Sequence, residues 1–274
     1  MFCKIPDQMG RIIALDKMPQ RIISLVPSQT ELLIDLGLRD RLVGITRYCV
    51  HPNNLTEEIT VVGGTKKTVN SRILDLQPDL IIANKEENTA ETVSFCDQIA
   101  PTYVSDIDDL EQALDMIKDL GTLTGSSFKA KSVARKIRSA FNRMPVFDRP
   151  KKAVYLIWKD PYMSIGQSTF INDMLQKAGF ENLTSKLSRY PSLQIEDIIA
   201  LQPEVVLLSS EPYPFTESDA GELREAFLKA PSQHPVQPNL VPEFKIVDGE
   251  MFSWYGSRLL KAPDYFIRLQ QGLL

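Results

Sequence analysis

With 274 residues, 43% of them hydrophobic and 24% charged, the chain has the composition of a folded globular protein long enough for about two domains. Lys and Arg number 31 and Asp and Glu 35, a formal net charge of -4, which argues against the basic balance of a nucleic-acid or anionic-membrane binder. Cys3, Cys49 and Cys96 form no C-x-x-C, so neither a disulfide framework nor a zinc ribbon is expected.

The first apolar run, Ile12-Ile13-Ala14-Leu15, is closed by Arg11 and Asp16. It falls short of the roughly 7–15 residues of a secretory signal. No run approaches the ~18–20 residues of a membrane span. Cys3 has only two residues before it, too few for a lipid-attachment signal. The chain as written is expected in the cytoplasm with no membrane insertion, and in the periplasm if an export signal lies outside these residues.

Short, β-branched, fully apolar runs predict buried parallel strands at residues 21–25, 42–45, 80–83, 153–157, 205–208 and 245–247. After the first of them, Ser28-Gln29-Thr30-Glu31 reads as a capping box. Leu32, Leu33 and Leu36 give the following helix an apolar stripe, and Gly37 supplies its left-handed stop. Strand, cap, helix and strand in that order is a β-α-β unit, so the fold class is α/β.

Next comes a repeat. Ile73-Leu74-Asp75-Leu76-Gln77-Pro78-Asp79-Leu80-Ile81-Ile82 returns as Ile198-Ile199-Ala200-Leu201-Gln202-Pro203-Glu204-Val205-Val206-Leu207. Each copy is a short helix, a Gln-Pro stop and a strand, because Pro lacks the helical donor. A second echo pairs the helix closed at Gly37 with one from Ser168 closed at Gly179. Two similar lobes follow, against the alternative of two unrelated helix-Pro-strand turns. The acidic cluster Asp106, Asp108, Asp109 and Glu111 most simply caps the helix after it. Residues 126–144 contain no Pro or Gly and predict one helix of about 28 Å, a stiff connector. The expected domains are an α/β lobe at 1–125, the connecting helix at 126–144, and a second α/β lobe at 145–274.

Asp7-Gln8-Met9-Gly10-Arg11, Arg21-Ile22-Ile23-Ser24-Leu25-Val26-Pro27-Ser28-Gln29-Thr30-Glu31 and Leu76-Gln77-Pro78-Asp79-Leu80-Ile81 together resemble the substrate-binding proteins of ABC importers for cobalamin, ferric siderophores and haem. Within them the chain is more similar to the cobalamin-binding branch. The resemblance implies two Rossmann-like lobes with mostly parallel sheets, bridged by a single long helix. It further implies a metal chelate held between the lobes without covalent chemistry or a resident cofactor, and an ABC permease as partner. A monomer that binds no nucleic acid is expected.

Ligands of open α/β sheets sit outside the carboxyl ends of the strands. That rule nominates the loops at 27–30, 46–52, 84–88, 158–163, 209–215 and 248–255. They carry Tyr48, Trp158, Tyr162, Tyr213, Phe215, Phe252, Trp254 and Tyr255, whose flat faces suit a large macrocycle. Core packing is the competing explanation for each. The resemblance places Tyr48 where cobalamin binders carry a contacting tyrosine, Trp158 at an aromatic position of the second lobe, and Thr65 where some of those binders use tryptophan. Arg47, Lys66, Lys67, Lys85, Lys159, Arg189 and Arg258 could draw in an anionic ligand, Arg47 and Lys159 foremost because each adjoins a nominated aromatic. The expected ligand-binding set is therefore Tyr48, Arg47, Trp158, Lys159, Tyr162, Tyr213, Phe252 and Trp254.

Cys49-x-His51 is too sparse for a metal site, and none is expected; His234 reads as a loop residue. Gly63-Gly64-Thr65-Lys66-Lys67 lacks the Walker spacing and reads as a plain turn. No G-x-G-x-x-G, G-x-S-x-G or H-E-x-x-H occurs, so no catalytic residue is nominated. A transferase-type enzyme and a cytosolic ligand sensor remain the alternatives to a transport binder. By the same resemblance, Glu196 stands where the second lobe docks a permease. Ser71 stands where the first lobe would carry the matching glutamate, with Asp75 one turn later.

Overall fold

The apolar runs at 21–25, 42–45, 80–83, 153–157 and 205–208 form inner strands of two mostly parallel β-sheets, and the run at 245–247 an edge strand, in the computed structural model, which describes residues 1–230 and 241–274; His234 lies outside them. The chain divides into two compact units. Unit 1 comprises Met1–Asn142 and Trp254–Leu260, and unit 2 comprises Arg143–Ser253 and Lys261–Leu274.

Unit 1 begins with an antiparallel hairpin, β1 (Cys3–Pro6) and β2 (Ile12–Leu15). It continues as β3 (Ile22–Ser24), α1 (Pro27–Asp35), β4 (Leu42–Ile45), α2 (Leu55–Glu58), β5 (Thr60–Val61), α3 (Asn70–Asp75), β6 (Leu80–Asn84), α4 (Ala90–Asp97), β7 (Thr102–Ser105), α5 (Leu110–Leu123) and α6 (Ser127–Asn142). The sheet order is β5-β4-β3-β6-β7, every pair parallel. Ile23, Leu25, Val62, Ile73 and Ile81 pack its core.

Unit 2 contains β8 (Lys151–Trp158), β9 (Tyr162–Ser164), α7 (Phe170–Lys177), β10 (Phe180–Asn182), β11 (Ser192–Leu193), α8 (Ile195–Ala200), β12 (Val205–Ser209), α9 (Glu217–Lys229), β13 (Glu243–Val247), α10 (Glu250–Ser253) and α11 (Ala262–Gln270). Strands β8, β12 and β13 run parallel, β10 joins β8 in parallel, and β9 and β11 add antiparallel pairs. Val154, Leu156, Ile198, Val206, Leu208 and Phe227 fill the core against one face.

Two local expectations change. The capping box after β3 does not form: Pro27 takes the first helical position, where its missing N–H is harmless, and Val26 is the cap. Ser28 and Thr30 are thereby drawn inside the helix and buried. Glu31 is turned to another partner described below. The long helix spans Ser127–Asn142 rather than 126–144, and it packs within unit 1 along α5. Gly121 permits that approach, because a Cβ there would collide with the Cβ of Ala130. The boundary between units falls after Asn142, and Trp254–Leu260 returns to unit 1.

The repeat is structural as well as sequential. Gln77 (φ 44°) and Gln202 (φ 50°) both occupy the left-handed position that ends α3 and α8. Their N–H groups donate to Leu74 and Ile199, closing the helix as a glycine usually does. The next acidic residue then caps the neighbouring strand in each unit. Asp79 accepts from the backbone of Gln20 and Arg21, and Glu204 accepts from Lys152 N at 2.9 Å.

Strand β7 ends its sheet, so its outer backbone groups need partners. The Asp7–Arg11 turn supplies them with side chains. Asp7 accepts from Val104 N at 3.3 Å, Gln8 accepts from Asp106 N at 3.0 Å, and Arg11 donates to Thr102 O at 2.7 Å. Arg11 also holds Asp7 through Nε at 2.9 Å.

Candidate functional site

In unit 1 the chain lays β4 and β5 to one side of β3, then crosses to lay β6 and β7 on the other. The topological switch therefore lies between β3 and β6, where an open α/β sheet offers its crevice. Three loops meet there. Asn84 folds its own loop by accepting from the N–H groups of Glu86 and Glu87, and Asn88 donates to Thr65 O at 2.9 Å. The glycine turn at 63–67 is thus tied down, with Gly64 N donating to Lys67 O at 2.8 Å.

Tyr48 lies against this turn, since a Cβ on Gly64 would stand 3.3 Å from its Cε2. Its side chain is 54% exposed. Arg47 beside it is exposed and forms no ion pair among the described residues, as is true of Lys66 and Lys67. Burial pushes the Glu87 carboxyl up from its ordinary value, with Lys66 opposing the shift.

Cys49 is fully buried, its Sγ 3.2 Å from Thr30 Oγ1 and 3.3 Å from Thr46 Oγ1. Burial raises its thiol pKa, as expected of an inert rather than a reactive cysteine. His51 packs edge-on against Trp254 at 5.3 Å. Among the described residues no cluster of three or more His, Cys, Asp or Glu could hold a metal ion.

Unit 2 presents Trp158 as the last residue of β8, 41% exposed. The edge of Tyr213 meets its ring at 5.8 Å, and Tyr213 in turn packs on buried Phe215 at 4.7 Å. Tyr162, half-buried on β9, packs against the same core as Tyr213, its phenol raised by burial.

Lys159 is not a free cation. Its Nζ lies 2.7 Å from both Asp219 and Glu222, and those hydrogen bonds raise its pKa. Burial works against ionisation of Asp219, yet Lys159 and the Thr216 hydroxyl and N–H bring its carboxyl down to about 2. The Asp219 carboxylate should therefore stabilise unit 2 fully above its ordinary value of 3.8 and lose that contribution as pH falls through about 2. Carboxyl-carbon NMR titration checks this, and Lys159→Met should move the midpoint up toward 3.8. An unchanged midpoint would remove Lys159 as the cause.

Other nominated residues belong to the interior. Phe252 is wholly buried, its ring 5.2 Å from Tyr155 and 4.8 Å from Phe266. Trp254, 7% exposed, is covered by the Arg258 guanidinium at 4.8 Å. Both rings are thus packed against protein rather than exposed as Tyr48 and Trp158 are. The broad positive field also contracts: Lys85 pairs with Asp106 at 2.6 Å, and Arg258 is clamped by Glu31 at 2.8 and 2.9 Å. Sequence patterns gave Glu31 a capping role and missed Asp219 and Glu222, because the partners of all three are far away in the chain.

Asp109 caps α5 through Gln112 N at 2.8 Å, which accounts for one member of the acidic cluster. Glu196 is exposed in the first turn of α8, and Ser71 and Asp75 are exposed on α3.

Residues 22–232 match the family model described as "Periplasmic binding protein". The chain belongs to the periplasmic binding protein family. A relative from Halobacterium salinarum, a cobalamin-binding protein, is 28% identical over 211 residues, 74% of this chain. The chain spans 57% of that relative's length. A second relative, the uncharacterized ABC transporter substrate-binding lipoprotein YvrC of Bacillus subtilis, is 24% identical over 95% of this chain and 82% of its own. The fold is also that of the periplasmic heme-binding protein RhuT from Roseiflexus sp. RS-1, with a TM-score of 0.74 and 20% identity. That match covers 93% of this chain and 99% of RhuT. Among the described residues no helix is long and apolar enough to cross a membrane.

Proposed function

We propose that this periplasmic binding protein reversibly binds a metal chelate of the corrinoid or porphyrin type, without covalent chemistry, as the monomeric receptor of an ABC-type importer. One observation carries the reading. Two large rings, Tyr48 and Trp158, stand exposed at the carboxyl ends of central strands, each seated on a fixed neighbour. Such rings give wide contact at low conformational cost and suit a flat macrocycle. Arg47, Lys66 and Lys67 add positive charge for propionate or phosphate groups on the ligand. The relatives that bind cobalamin and haem support the ligand class. Docking would rest on Glu196 of unit 2. Ser71 brings no carboxylate from unit 1, so permease affinity is correspondingly low.

Thermal denaturation with cyanocobalamin or haemin tests the reading. A ligand at 100 times its dissociation constant adds about 2.7 kcal/mol of stability. Tyr48→Ala and Trp158→Ala should each weaken binding by about 1–3 kcal/mol while the fold stays intact. Both chelates absorb light, so binding should quench exposed Trp158 more than buried Trp254. No shift with either compound, or normal affinity in both variants, would refute the proposal.

A further inference from the structure

The geometry points to the outer face of helix α6 as a surface that rests on an anionic phospholipid bilayer. The sequence of α6 contains Lys129, Lys131, Arg135, Lys136 and Arg138 and no carboxylate, and Arg143 follows its end. A chain with a formal net charge of -4 has thus gathered cations on one element.

Ala130, Ala134 and Ile137 are buried, which turns the opposite face outward. At 3.6 residues per turn that face runs through Phe128, Lys131, Arg135 and Lys136, all exposed. Two cations of the helix have local work: Lys129 donates to Leu36 O at 3.1 Å, and Arg138 pairs with Glu111. Lys131, Arg135 and Lys136 form no ion pair among the described residues. Helix faces that serve only solubility usually mix both signs at i,i+4 spacing. This one does not.

Phe128 decides the kind of partner. It is 85% exposed, about one turn ahead of Lys131 and two ahead of Arg135. An apolar ring among cations on a helix lying flat is the pattern of an interfacial helix, with the ring in the acyl boundary and the cations among lipid phosphates. A polynucleotide offers phosphates but no apolar layer for the ring.

Sedimentation of the full chain with vesicles tests the assignment. Binding is expected to phosphatidylcholine vesicles containing phosphatidylglycerol and not to phosphatidylcholine alone, and it should fall steeply between low and high salt. The triple variant Lys131→Gln, Arg135→Gln, Lys136→Gln should cut partitioning by roughly 100-fold, about fivefold per cation. Phe128→Ser should weaken binding at every salt concentration. All four side chains are exposed, so melting temperatures should stay at the parent value. If the triple variant melts early, Phe128→Ser alone carries the test. Equal partitioning to both vesicle types, parental binding by the folded triple variant or by Phe128→Ser, or tighter binding to duplex DNA than to the anionic vesicles would overturn the inference.

Discussion

Arg258→Ala is expected to lower unfolding stability by about 3–5 kcal/mol, the range for breaking a buried ion pair from one side. Arg258 and Glu31 are only 7% and 13% exposed. The guanidinium donates to both carboxylate oxygens, at 2.9 and 2.8 Å, while its face covers Trp254. Alanine would leave the Glu31 carboxylate enclosed without its two donors and uncover the indole. Arg258→Lys should cost less but not zero, since an ammonium keeps the charge and loses the two-pronged geometry. Pairing Arg258→Met with Glu31→Gln should cost less than Arg258→Met alone, because no buried charge then stands unpaired. Urea denaturation measures all of these. A loss below 1 kcal/mol for Arg258→Ala would show that the pair is dispensable.

Phe252→Ala should destabilise by a similar amount, about 3–5 kcal/mol, as large-to-alanine core changes do when the site cannot collapse. Tyr155 on β8 and the adjacent Tyr265 and Phe266 on α11 surround the ring. Trp158→Ala, by contrast, should act mainly on ligand affinity, because Trp158 is already 41% exposed in the folded chain. The two substitutions separate interior from site by experiment. A Phe252→Ala protein as stable as the parent but unable to bind the chelate would return Phe252 to the ligand.

The same pair of residues shows how far the sequence could be read. Both are large aromatics just after apolar strands, and local pattern treats them alike. Their difference arises from packing: α10 folds Phe252 toward α11, while Trp158 ends β8 at the surface. The central strands were legible because runs such as residues 80–83 are apolar and buried throughout. Strands β5, β9, β10 and β11 were not, since two or three partly polar residues carry too little periodicity. β7 was hidden for a different reason. Its Thr and Ser ends look like loop, and its outer edge is satisfied by side chains almost a hundred residues away. Charge was legible in total and not in pairing. Lys159 looked available until Asp219, 60 residues on, was found against it, and Arg258 until Glu31, 227 residues back.

The edge cap on β7 bears on how this protein can be cut. The family model matches residues 22–232, which invites a minimal fragment with those limits. Such a fragment would lack Asp7, Gln8 and Arg11, leaving the backbone of β7 open along its outer side and ready to zip onto a second copy. It would also lack Arg258, β13 and α11. The independently viable piece is therefore larger than the stretch the family model matches, and its first eleven residues are part of the sheet's architecture rather than a tail.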